Sequence, residues 1–117
     1  MIPKDARARE VLDFWFQGDA RDPRWFRKDE AFDRAIRDRF LPLYELALAG
    51  GLAAWLESPA ECLALVILLD QFPRNMFRGT ARAFAADPLA REAARSILSH
   101  GWDRSMDDPR RLFAYLP

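Results

Sequence analysis

The chain has 117 residues, half of them apolar, and its 18 basic side chains balance 18 acidic ones. This length fits one folded domain over residues 1–117. The balanced charge gives no sign of the basic stripe that is typical of nucleic-acid-binding proteins. The longest apolar run, residues 62–69, is too short to cross a membrane, and the single cysteine and polar start without a signal peptide predict a cytoplasmic protein.

Helix signals dominate the first part of the chain, because Ala, Leu, Arg and Glu are abundant and β-branched residues are scarce. Asp5 can cap a first helix over residues 6–17, and Gly18 is expected to stop it. Trp25 and Phe26 follow a polar loop and are expected to fold back onto this helix.

A second helix is predicted from near Asp29 to the glycine pair at residues 50–51. Its core stripe has apolar residues four positions apart, namely Phe32, Ile36 and Phe40. Because proline lacks an N–H and clashes one turn back, we expect Pro42 to kink or split this helix. A short helical turn is predicted at residues 52–56.

The segment Ser58-Pro59-Ala60-Glu61 has the form of a capping box with proline at the first helical position. The helix that follows is apolar nearly all round, which predicts a central, buried element. We expect it to run to about Phe72 and to end at Pro73.

Three more helix starts are predicted after this central helix. Thr80 can cap a short helix that runs through Ala85. The pairs Asp87-Pro88 and Asp108-Pro109 can open two longer helices, the first of which would stop at Gly101. No strand pattern of any length occurs, so the sequence predicts an all-α fold built from antiparallel helix hairpins, arranged as in a helical solenoid.

A dense polar cluster follows the apolar helix: Asp70, Gln71, Arg74, Asn75, Arg78 and Thr80. One interpretation is structural: Asp70 pairs with an arginine, while Gln71 and Asn75 satisfy loop backbone groups near Pro73. The other is a ligand site, in which two guanidinium groups and the helix start at Thr80 bind a carboxylate or phosphate. Both interpretations remain open at the level of the sequence.

Other patterns for chemistry are weak. The single histidine, His100, is expected to cap a helix C-terminus, and Cys62 is expected to be a small core residue. Asp103, Asp107 and Asp108 lie close together, but one of them is needed as a helix cap. The sequence therefore predicts no metal site, no cofactor and no recognised catalytic set. The aromatic residues could line a groove, namely Trp15, Trp25, Phe26, Trp55 and Trp102, but core packing is the commoner role.

Several stretches resemble a known bacterial family, the one called domain of unknown function 924. The segments that carry the resemblance are Val11-Leu12-Asp13-Phe14-Trp15-Phe16, Asp70-Gln71-Phe72-Pro73-Arg74-Asn75, Phe77-Arg78-Gly79-Thr80 and Phe113-Ala114-Tyr115-Leu116-Pro117. The resemblance implies an all-helical fold similar to tetratricopeptide-repeat superhelices, and it implies no particular reaction.

Members of that family usually continue past the Tyr-Leu-Pro segment with a His-Ser-Glu segment and further helices, whereas this sequence stops at Pro117. A solenoid without a capping helix exposes an apolar face. We therefore expect self-association into a homo-oligomer through residues 88–117.

Two functions compete on this basis. The first is a non-enzymatic helical scaffold that binds a peptide or protein partner. The second is a site for an anionic metabolite, either a binding site or an active site, around Asp70, Arg74, Asn75 and Arg78. The sequence favours the scaffold, because no catalytic set is recognised.

Overall fold

The computed structural model describes residues 2–17 and 21–117, and the stop predicted at Gly18 lies outside this part. Over the described residues every regular element is helical, which confirms the predicted all-α fold. The α-helices are α1 (Ala6–Trp15), α2 (Glu30–Leu48), α3 (Pro59–Val66), α4 (Phe72–Met76), α5 (Asp87–Ser99) and α6 (Asp108–Tyr115). Short 3₁₀ turns lie at Pro23–Trp25, Ala53–Glu57, Ala81–Phe84 and Trp102–Ser105.

Three helix starts are capped by aspartate side chains that accept a hydrogen bond from a backbone N–H. Asp5 accepts from Arg7, as the sequence predicts, and Asp29 accepts from Phe32 at the helix start predicted near it. The prediction that Asp108-Pro109 supplies the last cap is off by one residue. Asp107 caps α6, and Asp108 is already its first helical residue.

The capping box predicted at Ser58 is wrong. Ser58 precedes α3 without a side-chain hydrogen bond to the helix. The Glu61 carboxylate instead accepts a hydrogen bond from the backbone N–H of Lys4, 3.2 Å away. A tertiary contact with the N-terminal segment has therefore replaced the local bond that the motif offers.

Two other predicted caps differ for comparable reasons. Thr80 makes no cap hydrogen bond, because its hydroxyl donates to the carbonyl of Phe77 at 2.7 Å. Asp87 lies inside α5 as its first residue, and its carboxylate is engaged by Arg74. Ala86 takes the cap position there without a side-chain bond.

Neither internal proline breaks its helix. Helix α2 continues through Pro42 to Leu48. Helix α3 continues through a π turn at Ile67–Gln71 directly into α4, which contains Pro73. The wider π turn is placed where the proline ring would meet the carbonyl one turn back, so it accommodates Pro73 without ending the helix. Residues 59–76 thus form one helical rod.

The rod is the centre of the fold, as its apolar sequence predicts. Helices α1, α5 and α6 pack against α3, and α2 packs against α4. Trp15 is fully buried beside it and contacts several rings, including Phe72 at 5.8 Å and Phe113 at 5.5 Å between centroids. Trp25 does fold back onto α1, because its indole N–H donates to the Trp15 carbonyl at 3.0 Å. The likeness to a tetratricopeptide superhelix stays a prediction.

We predict that Pro42→Ala stabilises the protein. Pro42 is exposed inside α2, so alanine restores a helical hydrogen bond at little packing cost. We expect the free energy of unfolding to rise by about 1–2 kcal/mol after allowing for the looser unfolded chain. Urea denaturation measures this change.

The matched control is Pro88→Ala, in the first turn of α5, where proline fits the helix. In that variant the free energy of unfolding should fall by about 0.5 kcal/mol, because the substitution only increases the conformational entropy of the unfolded chain. An equal effect of the two substitutions would contradict the prediction.

Candidate functional site

Asp70 lies in the π turn of the rod, with only 4% of its surface exposed. One carboxylate oxygen, Oδ2, accepts from the Gln71 side-chain amide at 2.7 Å. The other, Oδ1, accepts from the Arg74 guanidinium at 3.0 Å, and Arg74 also donates to the Asp70 backbone carbonyl. The ion pair expected from the sequence is therefore present. It lies within the rod and not at its end.

Arg74 links the rod to α5. Its guanidinium also contacts both carboxylate oxygens of Asp87, at 3.1 and 3.3 Å. The ring of Phe84 lies 5.1 Å from the guanidinium carbon. One arginine thus joins two carboxylates that are 17 positions apart in the chain, and its side chain stays 35% exposed.

A second polar link joins the rod to α2 through Asp33. The Asn75 amide donates to Asp33 Oδ1 at 2.8 Å. Arg78 donates to the same carboxylate from Nε at 2.8 Å and from Nη2 at 3.2 Å. The predicted role of Gln71 and Asn75, to satisfy loop backbone groups, is wrong, because each side chain donates to a carboxylate.

These residues border a cavity of about 390 Å³ on the surface. Five of the six predicted site residues line it, namely Asp70, Gln71, Arg74, Asn75 and Arg78. Thr80 does not, since its hydroxyl is turned to the Phe77 carbonyl and the segment after it is a 3₁₀ turn. Four further residues complete the lining: Trp25, Phe26, Arg27 and Leu116. Because three of its nine lining residues are arginines, we call this cavity the anion pocket.

Several residues of the site carry no clear signal in the sequence. Arg27 and Leu116 carry no motif, and they reach the pocket only because the turn after α1 and the end of α6 meet the rod. Asp33 appears in the sequence as one of many charged residues on the outer face of α2. The Asp87-Pro88 pair predicts a helix cap. Only the tertiary contact with Arg74 reveals the role of Asp87 at this site.

The pKa values of two pocket residues, Asp70 and Arg78, are shifted by their surroundings. Burial raises the pKa of the Asp70 carboxyl, against the opposing effect of Arg74 and the Gln71 hydrogen bond. The nearby Asp87 carboxylate acts in the same direction as burial. Hydrogen bonding to Asp33 raises the pKa of Arg78, so that guanidinium stays charged.

The groups most often used in catalysis lie elsewhere. Cys62 is fully buried beside α5 and its thiol donates to the Ala93 carbonyl at 3.2 Å. Desolvation raises its pKa to about 12, which keeps it a protonated core residue, as predicted. His100 Nδ1 lies 2.8 Å from the Ser96 carbonyl at the end of α5, which confirms the predicted capping position.

The three clustered aspartates have separate structural partners. Asp107 caps α6, and Asp103 accepts a hydrogen bond from the Tyr115 hydroxyl at 2.7 Å. Asp108 faces Arg111 at 3.7 Å and is largely exposed. Among residues 2–17 and 21–117, no three His, Cys, Asp or Glu side chains are grouped to hold a metal ion.

We predict that Asp70→Asn changes the pH dependence of stability. Because the folded-state pKa of Asp70 is raised, its contribution to the free energy of unfolding is greatest below the unfolded pKa of about 4 and is lost as the pH rises through the folded pKa. The stability of wild type relative to Asp70→Asn should therefore fall as the pH rises from about 4 to 8. Urea titrations across that range measure it.

Asp5→Asn gives a control of opposite sign. The hydrogen bond to Arg7 lowers the pKa of Asp5 to about 2, so Asp5 stabilises above about pH 4 and loses this effect as the pH falls. If both variants changed stability with the same pH dependence, the assignment of a raised pKa to Asp70 would be wrong.

Comparison with known proteins identifies the family of this chain. A solved chain described as a protein of unknown function, ATU0120 from Agrobacterium tumefaciens, is 45% identical and superposes with a TM-score of 0.89. The match covers 96% of this chain and 62% of that one, so this chain spans less than two thirds of the neighbour's length. Curated proteins gave no match. A family model matches residues 11–117, and the chain accordingly belongs to the DUF924 family of bacterial proteins of unknown function.

Proposed function

We propose that the protein binds a small organic anion in the anion pocket. The observation that carries the proposal is the convergence of three guanidinium groups, from Arg27, Arg74 and Arg78, on one cavity of about 390 Å³. Guanidinium groups bind carboxylates and phosphates through paired hydrogen bonds. A cavity of this size is within the range that holds small ligands.

The carboxylates that pair with two of these arginines support this function. Asp33 and Asp87 fix Arg78 and Arg74 from outside the cavity lining, so the lining itself carries three arginines against Asp70 alone. Arg78 uses Nε and Nη2 on Asp33, which leaves Nη1 without a partner among the described residues. Arg74 Nε has none there either. Donors held in position and still available are suited to an incoming anion.

The proposal is one of binding. His100 and Cys62 do not line the pocket, and Asp70 is the one carboxylate among its nine lining residues. The polar set is therefore suited to recognising charge and shape, and it lacks the paired nucleophile and base of a covalent mechanism.

We predict that small carboxylates raise the melting temperature at constant ionic strength, and that Arg78→Gln abolishes the rise. Asn75 still donates to Asp33 in this variant, so the fold should survive the loss of Arg78. Differential scanning fluorimetry and isothermal titration calorimetry with acetate and inorganic phosphate measure the effect.

Arg110→Gln is the matched control. Arg110 also forms an exposed ion pair, with Asp107 at 2.7 Å, but it lies outside the anion pocket. This variant should bind anions as wild type does. If no anion raises the melting temperature of wild type, or if the two variants behave alike, the cluster has only a structural role.

The peptide scaffold expected from the sequence is a second candidate. It is supported by an apolar depression of about 220 Å³, separate from the anion pocket, whose lining includes Leu52, Leu56, Leu65, Leu69 and Leu89.

None of the described helices is long and apolar enough to span a membrane. The cytoplasmic location stays a prediction.

Self-association through residues 88–117 is a separate proposal. Support comes from large apolar side chains that are exposed in this segment, namely Leu98, Tyr115 and Leu116. A second copy would bury these side chains, and burial of apolar surface is the main driving force for association.

We predict that Leu98→Glu shifts wild-type oligomers to monomers in sedimentation velocity at micromolar concentration. Leu48→Glu, on α2 outside the segment, is the control, because Leu48 and Leu98 are similarly exposed, at 42% and 46%. A wild-type chain that sediments as a monomer would contradict the proposal.

A further inference from the structure

The anion pocket has two chemically different sides. The rod and the turn after it supply a polar side, with Asp70 and Arg74 on the rod and Arg78 in the turn. The turn after α1 and the end of α6 supply an apolar side, formed by Trp25, Phe26 and Leu116. A ligand that consists of charge alone would use only one of these sides.

Phe26 is the most informative residue of the apolar side. Its side chain is 62% exposed, whereas seven of the nine phenylalanines are buried. Its ring is nevertheless held in position, parallel to Phe113 at 6.2 Å and edge-on to Trp25 at 6.3 Å between centroids. An exposed ring that is already held in place can pack against a ligand with little loss of conformational entropy.

The charges of the polar side limit how much negative charge the ligand brings. Arg74 is paired with Asp70 and Asp87, and Arg78 is paired with Asp33. Arg27 lies 3.9 Å from the Asp29 carboxylate. The three arginines thus face four carboxylates, so the pocket offers directed donors without excess positive charge, and a second negative charge on the ligand would be repelled.

Together these features define a ligand class. We propose that the anion pocket takes an aromatic monocarboxylate, with its carboxylate on Arg74 and Arg78 and its ring against Phe26 and Leu116. This inference rests on the proposed anion-binding function and adds the apolar half of the ligand and its single charge.

Calorimetric titration with four probes tests the inference: acetate, phenylacetate, inorganic phosphate and phenyl phosphate, at equal ionic strength. Phenylacetate should bind about tenfold more tightly than acetate, because its ring adds apolar burial and ring packing. It should also bind more tightly than phenyl phosphate, which carries more negative charge. Quenching of Trp25 fluorescence gives a second readout, since this indole lines the pocket.

Phe26→Ala should reduce the preference for phenylacetate over acetate to about twofold. Tyr115→Ala is the control, because Tyr115 is an exposed aromatic residue outside the pocket lining. Circular dichroism checks that both variants fold.

The outcomes separate the two proposals. Equal binding of acetate and phenylacetate would overturn the aromatic ligand and leave anion binding intact. Tighter binding of phenyl phosphate than of phenylacetate would overturn the single charge. If none of the four probes binds, the anion-binding function is wrong and this inference fails with it.

Discussion

The polar architecture of this protein depends on a carboxylate that the central helix carries into the interior. Asp70 is nearly fully buried within the rod, and a buried charge is costly unless partners satisfy it. Arg74 and Gln71 supply those partners. Arg74 also forms an ion pair with Asp87, the first residue of α5. The need of Asp70 for a charged partner therefore also positions the start of α5 against the rod.

The aromatic core fixes the other side of the same region. Phe113 of α6 meets Trp15, Trp25 and Phe26, so α6 and the turn after α1 are held together by rings. Leu116 follows directly after α6 and reaches the anion pocket as a consequence. The pocket is thus formed where an ionic link and an aromatic cluster meet beside the C-terminal part of the rod.

Much of the helical framework could be predicted from the sequence because its signals are local. The stripe of Phe32, Ile36 and Phe40 and the helix start near Asp29 depend on neighbours in the same helix. The failures occur where a distant group competes with the local partner. The Glu61 carboxylate accepts a hydrogen bond from the Lys4 backbone and not from Ser58. Asp87 pairs with Arg74 and does not cap its own helix.

The candidate site was predictable to the same extent. The polar residues between 70 and 78 lie on the last part of the rod and in the turn directly after it, so their clustering follows from the sequence. The sequence does not predict that the helix continues through Pro73, because a proline usually ends a helix and a π turn has no signature in composition. The sequence offers Phe26 as a possible groove residue, but its place in the pocket lining depends on how α6 packs.

The carboxylates that orient Arg74 and Arg78 come from positions 33, 70 and 87, on three separate elements. Such long-range contacts form only once those elements have docked, and contacts between distant parts of a chain are slow to assemble. A ligand held by these arginines would bind only the completely folded chain. By mass action its cellular concentration would then also help determine how much of the protein escapes proteolysis.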